Sequence, residues 1–251
     1  MKITVVTVCF NSEQTIENCV SSVLAQEDAD IEFIVIDGGS RDDTLKKLEP
    51  YRNRISVLVS EPDGGIYDAM NKGLNRATGD YVGFLNSDDY FTSPKSVAKL
   101  ANALRISGAD AALADIEQIN AAGRIVRIFR SMGFRREHLR RGQYPPHPGF
   151  YARPEMLRKL GGFETGFRIA GDFDLMIRFF MAPNTRWSYV PERIVTMRVG
   201  GASHQGWNSY MFNSREVVRA CKTRGLKPSY PQIYGRVFRK GLEVLSGFKS
   251  R

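Results

Sequence analysis

The sequence predicts an α/β fold: a Rossmann-like, mostly parallel sheet with flanking crossover helices. Three observations carry this. Apolar, β-branched runs such as Lys2–Cys9 and Ile31–Asp37 recur along the first third of the chain, as strands buried on both faces do. Segments of helical periodicity separate them, at the spacing that parallel crossovers need. Polar, acidic and glycine-rich clusters fall just after strands, at Asp37–Ser40, Glu61–Gly65 and Asn86–Asp89, where open α/β sheets bind ligands.

Lys2–Cys9 reads as the first strand. Ser12 offers a cap for the next helix, whose apolar stripe is Thr15, Ile16, Cys19, Val20, Val23 and Leu24. Ile31–Asp37 is the second strand, ending in the turn Gly38-Gly39-Ser40. A helix from about Asp42 to Tyr51 follows, capped by Asp42 or Asp43. The third strand is Ile55–Ser60, then a helix Ile66–Ala77, then a fourth strand Asp80–Leu85. Beyond residue 107 the pattern loosens. Ala109–Gln118 and Arg124–Phe129 suit a hairpin around Asn120–Gly123. Tyr144–Pro148 is a proline-rich loop holding His147. Pro154–Leu160 reads as a short helix closed by Gly161-Gly162, Phe173–Met181 as an apolar helix and Trp187–Val199 as a strand. From Tyr210 the chain is helical, with a break at Gly225–Pro231.

The 251 residues, 42% hydrophobic and 25% charged, suit a globular protein with one large core. Cys9, Cys19 and Cys221 are dispersed and odd in number, which argues against a disulfide framework or a structural zinc site and for a reducing cytoplasm. The short apolar run Ile3–Phe10 is not a signal peptide, and no run approaches the ~20 apolar residues that span a bilayer. The net charge of +9 is uneven: residues 1–123 carry −8, residues 124–141 carry +6, residues 142–211 carry +3 and residues 212–251 carry +8. An acidic half is thus followed by basic segments suited to an anionic partner surface.

Asn86-Ser87-Asp88-Asp89 directly follows a strand. Carboxylates clustered there call for a neutralising positive charge, which a hard divalent cation on a diphosphate supplies; the alternative is a solvated turn before a helix. Asp37 ends its strand beside two glycines that let a backbone approach, so its carboxylate can accept from a base or ribose hydroxyl; otherwise it belongs to a capping turn. Ser60–Gly73 reads as a turn and a helix N-terminus, a natural neighbour for phosphate, with Lys72 read as a solvated helix charge.

Thr7-Val8-Cys9-Phe10-Asn11, Ile36–Ser40, Ser60–Gly73 and Leu85–Tyr90 together resemble family 2 glycosyltransferases of the GT-A fold, with the flavour of bacterial exopolysaccharide and colanic-acid-type enzymes, over about residues 1 to 205. The resemblance implies a donor-binding half over about 1–107, an acceptor-binding half over about 108–209 and a basic amphipathic helical extension over 210–251. It implies an inverting, metal-dependent transferase using a nucleotide-diphosphate sugar, by family weight a UDP-sugar, with Mg²⁺ or Mn²⁺. By position, Asp37 resembles the residue that reads the nucleobase and Thr7 the segment lining it. Asp88 matches the metal-binding aspartate, with Asp89 beside it, while Asn86 stands where the family usually has another aspartate. In Gly171-Asp172-Phe173-Asp174, Gly171 replaces a frequent glutamate; Asp172 is the implied general base, and Asp174 complements the helix dipole. His147 matches a segment lining the acceptor side. Arg198 and His204 flank a loop that in relatives covers the donor, with His204 able to reach the metal.

Ile233, Tyr234, Val237, Phe238, Leu242, Leu245 and Phe248 recur at helical spacing among basic residues, a pattern that fits a helix on an anionic membrane surface or one packed on the core. Because many relatives act on lipid-linked sugars, the resemblance implies a saccharide acceptor linked to a polyprenyl diphosphate and a peripheral place on the inner face of the cytoplasmic membrane. Arg124–Arg141 suit the same surface or an acceptor diphosphate. A polyanion binder is suggested by the isoelectric point of about 9.6, but the acidic crevice repels a phosphate backbone and no nucleic-acid motif is present. A dinucleotide oxidoreductase is disfavoured because the first strand leads into Phe10-Asn11-Ser12-Glu13, not a glycine fingerprint. A nucleotide-sugar-binding relative that has lost catalysis is kept open by Asn86 and Gly171.

Overall fold

The computed structural model describes residues 1–199 and 206–235. The first half runs β1 (Lys2–Cys9), α1 (Ile16–Leu24), β2 (Asp30–Asp37), α2 (Thr44–Leu48), β3 (Val57–Ser60), α3 (Ile66–Arg76) and β4 (Tyr81–Asn86). The second runs β5 (Tyr90–Phe91), α4 (Ser96–Ser107), β6 (Ala111–Ile119), β7 (Ile125–Phe129), β8 (Phe150–Ala152), α5 (Pro154–Lys159), α6 (Gly171–Met181), β9 (Trp187–Arg198) and α7 (Gly206–Thr223).

One sheet holds these strands in the order β3-β2-β1-β4-β8-β6-β9-β5, with β7 paired to β6 outside that path. The first four are parallel, as the apolar runs predict. Their register sets Cys9 opposite Asp37, Asp37 opposite Ser60 and Val8 opposite Asn86, so the carboxyl ends of β1 to β4 finish level at one edge. Beyond β4 the sheet is mixed: β8 is antiparallel to β4 and β6, and β9 is parallel to β6. At three and two residues, β8 and β5 are too short to show a period, and both go unpredicted.

Alternation along the central strands feeds two cores. Val6, Val8, Ile34, Ile36 and Phe84 pack on the side of α3, α5, α6 and α7. Ile3, Val5, Phe33 and Val35 pack on the side of α1 and α4. Apolar residues on both faces are why these strands lack the polar alternation of a one-sided sheet.

Several local expectations are corrected. The Ser12 hydroxyl does not cap α1: it bonds Ser87 Oγ at 2.8 Å, and the Ser12 carbonyl accepts the Thr15 and Ile16 amides instead. Asp42 does cap, accepting the Thr44 amide at 3.0 Å. The helix expected to Tyr51 gives way to a 3-10 helix over Glu49–Arg54, since Pro50 has no N–H to donate to the preceding turn.

The helix that begins the C-terminal segment packs on the core. Val217, Ala220 and Cys221 of α7 are buried in the core shared with α6. Glu216 accepts the amides of Arg168, Ile169 and Ala170 at 2.8–3.0 Å. Arg224 joins Arg178 on the fully buried Asp174 carboxylate, at 2.8 Å each. Asp174 is thus an ionic lock between α6 and the end of α7 as well as a first-turn acid. After the predicted break, residues 230–235 are helical again. Ile233 is buried and Tyr234 packs on the core, so this first turn lies on the protein. The tail positions from Val237 to Phe248, and His204, lie outside the described residues. Among the described residues no helix is long and apolar enough to cross a membrane.

Glu216→Ala orphans three amides at once. We expect it to lower the unfolding free energy by about 3 kcal/mol in denaturant titrations; a loss under about 1 kcal/mol would show that water replaces the carboxylate without cost.

Candidate active site

The level ends of β1 to β4 open onto one crevice, and the loops leaving them supply its groups. Asp37 closes β2 and is fully buried. Its Oδ2 accepts the amides of Gly39 and Ser40 at 3.2 and 3.0 Å and the Ser60 hydroxyl at 2.7 Å. Its Oδ1 accepts from the Ser40 hydroxyl and, at 3.7 Å, the Cys9 thiol. Every donor comes from the chain itself. Asp37 therefore organises the Gly38–Ser40 turn, and the expectation of a carboxylate open to a base becomes a loop shaped by that carboxylate. Thr7 lies on the α1 face of β1, fully buried, with its hydroxyl 3.6 Å from the Cys19 sulfur.

Two neighbours on this rim are missed by the sequence reading. Asp63 folds over Gly38, where an added Cβ would stand 2.5 Å from Asp63 Oδ2; its Oδ1 accepts the Gly65 amide at 2.8 Å. Phe10, just past β1, is 60% exposed, an aromatic face at the mouth of a polar crevice. The signal for Phe10 was its place after a buried strand, where an apolar residue has no core to join.

At the end of β4, Asp89 is buried and Asp88 half-buried. Burial pushes both carboxyls above the ordinary carboxylate range, Asp89 strongly, with the charge of Asp88 adding to it. Arg198, at the end of β9, opposes the shift on both and lies 5.4 Å from the Tyr90 ring centre. The structure thus brings Arg198 to the acidic pair. Asn86 Oδ1 is buried without a hydrogen-bond partner, and its amide nitrogen lies 3.5 Å from Asp89 Oδ2. Among the described residues no group of three His, Cys, Asp or Glu side chains is set to hold a metal. Two under-neutralised carboxylates and one orphaned amide oxygen nonetheless make an all-oxygen set, the donor chemistry a hard divalent cation takes. The residues fit such an ion, with Asn86 as a neutral donor.

A chain of rings leads from β4 into the second half. Phe84 stacks on His147 at 5.8 Å and meets Phe163 edge-on at 4.9 Å, and Phe163 stacks on Tyr67 of α3 at 5.8 Å. Burial lowers the His147 pKa to about 4, so the imidazole is neutral at physiological pH, and its Nε2 has no partner. Asp172, in the first turn of α6, accepts the Phe173 amide at 2.8 Å, and the phenols of Tyr144 and Tyr67 act to lower its pKa. Burial outweighs these donors and raises its pKa to about 6. Of the predicted residues, the structure groups Asn86, Asp88, Asp89 and Arg198 at one strand end, and His147 and Asp172 around Tyr67 and Phe163.

The mixed sheet with acidic, oxygen-rich strand ends and helices on both faces has the architecture of a GT-A glycosyltransferase. The chain belongs to glycosyl transferase family 2, whose description matches residues 4–179. It is 36% identical over 178 residues to an uncharacterised glycosyltransferase of Mycobacterium tuberculosis (strain H37Rv), covering 70% of this chain and 68% of that one. A PGL/p-HBAD biosynthesis glycosyltransferase of Mycobacterium bovis is 26% identical over 72% of this chain and 71% of its own. In structure, Staphylococcus aureus TarS residues 1–349 in complex with UDP superimpose with a TM-score of 0.70 at 22% identity, over 99% of this chain and 72% of that one. The mannosyltransferase of Pyrobaculum calidifontis in complex with GDP-Man and Mn²⁺ gives 0.66 at 18%, over 96% and 69%.

Asp37→Asn turns an amide N–H₂ toward hydroxyl and amide donors. We expect a loss of about 2 kcal/mol and faster hydrogen exchange at Gly39 and Ser40; unchanged exchange there would detach Asp37 from the loop.

Proposed function

We propose that the protein is an inverting transferase that moves a sugar from a nucleotide-diphosphate sugar, by preference a UDP-sugar, to a hydroxyl of a saccharide acceptor. The observation that carries this is the pairing of two differently tuned acidic groups: the under-neutralised Asp88 and Asp89 beside orphaned Asn86, and Asp172 with a pKa near 6. The complexes of TarS with UDP and with UDP-GlcNAc support the donor class by likeness of fold.

In this reading the Phe10 ring stacks on the nucleobase, and the Asp37-held turn with Asp63 shapes its edge. Asp88, Asp89 and Asn86 would hold Mn²⁺ or Mg²⁺, which would supply counter-charge for a leaving diphosphate. Arg198 adds positive charge on the same side. The acceptor oxygen attacks the anomeric carbon as the bond to the diphosphate oxygen breaks on the opposite face, and Asp172 takes the acceptor's proton. Neutral His147 lines the acceptor side, and its free Nε2 suits a sugar hydroxyl. His204 is a further candidate for the metal or diphosphate.

The acceptor reading extends to a saccharide on a polyprenyl diphosphate, met at the inner face of the cytoplasmic membrane. One observation favours an anionic surface. None of the seven arginines of residues 124–141 joins an ion pair among the described residues. Ile125, Val126, Ile128 and Met132 stand exposed among them.

Three measurements test this. UDP-, GDP- and dTDP-sugars screened by thermal shift should stabilise the protein only with Mn²⁺ or Mg²⁺ present, and Asp88→Asn should abolish that dependence; stabilisation by none of them would remove the transferase reading. Asp172→Asn should cut transfer by at least about 10²-fold while donor affinity stays; because the base must be ionised, wild-type transfer should rise with pH with its midpoint at about 6. Binding to anionic liposomes should weaken as salt rises and weaken further when Arg124, Arg127 and Arg130 are replaced by Gln; retention on neutral liposomes at high salt would reject the electrostatic part.

A further inference from the structure

Tyr67 has one hydroxyl proton. It donates to the Ile169 carbonyl, and its ring packs against Gly171, next to Asp172, whose carboxylate it helps to keep ionised. Burial holds the phenol well above its ordinary pKa, so it keeps that proton throughout the physiological range. The ring is fixed on both sides. Phe163 stacks on it at 5.8 Å. On the other side Gly171 leaves room for it, since a Cβ there would stand 2.6 Å from the ring. Gly171, the departure from the family's glutamate, is thus the space that lets α3 deliver a phenol to the first turn of α6.

The other groups around Asp172 are accounted for. Its own helix offers the Phe173 amide and its own amide, and the loop before His147 offers the Tyr144 hydroxyl, with the Tyr144 ring 4.9 Å from Phe173. The nearby acids are engaged elsewhere: Asp174 by Arg178 and Arg224, Glu216 by three amides. No competing charge is needed to explain how the carboxyl is held.

We propose that Tyr67 is the positioning residue of the Asp172 base and that its hydroxyl proton switches partner: it points to the Ile169 carbonyl while Asp172 is protonated and to the carboxylate while Asp172 is ionised. When Asp172 takes the acceptor proton, the new carboxylic O–H donates to the Tyr67 oxygen and the phenol turns its own O–H back to Ile169. Each state then keeps every donor matched to an acceptor, and the base is supported only in the form that must act. The proposal rests on Asp172 being the base.

The test is carboxyl ¹³C NMR of Asp172 in the full chain, assigned with Asp172→Asn, together with the ¹³C resonance of the Ile169 carbonyl, assigned with Ile169→Val. In the wild type the Ile169 resonance should titrate with the Asp172 midpoint. Tyr67→Phe should raise that midpoint by about one pH unit, because a donor to the charged form is lost, and should shrink the Ile169 step by half or more. Transfer by Tyr67→Phe should fall roughly fivefold near pH 6 and approach the wild type above about pH 8.5, with donor KM unchanged. If Tyr67→Phe does not fold, 3,5-difluorotyrosine at position 67, a stronger donor, should lower the midpoint. An Asp172 midpoint that stays at the wild-type value in either variant overturns the switch and leaves the base intact. Undiminished transfer by Asp172→Asn overturns the base reading itself, whatever the NMR shows.

Discussion

An ionised carboxylate taken out of water costs several kcal/mol unless donors or cations surround it, and this constraint organises the molecule. Most buried acids are satisfied from within, Asp115 and Glu117 by neighbouring strands and loops and three others by segments far apart. Asp37 gathers two amides, two hydroxyls and a thiol from three strand ends. Glu216 gathers three consecutive amides ahead of α6. Asp174 holds two arginines, one from its own helix and one from just past α7. Each joins segments far apart in sequence, so the same bonds that satisfy the charge also fix where α6 and α7 sit against the sheet.

Buried Asp89 and half-buried Asp172 are not satisfied in this way, and the difference separates structure from chemistry. Asp89 has only a long contact to Asn86 and the distant charge of Arg198. Asp172 has amides and phenols but no cation among its named partners. A fold that saturates Asp37, Glu216 and Asp174 does not lack donors in general; it leaves these positions short. A carboxyl held high by burial, at a strand end or a helix start facing a crevice, is where a cation or a proton has work to do. The free Nε2 of His147 and the orphaned Oδ1 of Asn86 carry the same sign: polar atoms kept dry without a partner inside the chain.

This also explains what was legible in the sequence. The four parallel strands were readable because both faces of each are buried, which writes continuous apolar runs such as Lys2–Cys9. The acidic cluster after β4 was readable because three carboxylate or amide residues in four positions are costly anywhere else. The roles inside the crevice were less so, because they depend on which side of the pleat a residue takes. Thr7 sits one residue from Val8 yet faces α1, and Asp37 was readable as a polar group but not as a saturated one, since its donors come from Cys9, Ser40 and Ser60. The docking of α7 was not readable for a related reason: α7 carries a basic exposed face, and nothing local announces that Glu216 and Arg224 reach across to α6.

Asn86 and Gly171 look, in sequence, like two losses of function, a missing metal aspartate and a missing glutamate. In three dimensions they differ in kind. At Asn86 the lost charge leaves an amide oxygen pointed into a dry acidic site, so the position keeps a donor atom and gives up only its electrostatic contribution, in a place where Asp88 and Asp89 already repel each other. At Gly171 the lost side chain is replaced by the ring of Tyr67, which occupies the volume and brings a hydroxyl to Asp172. Restoring glutamate at 171 without removing Tyr67 would drive a Cβ into that ring. Positions 67 and 171 therefore share one volume beside Asp172, and a chain that has adopted the tyrosine has no room for a side chain at 171.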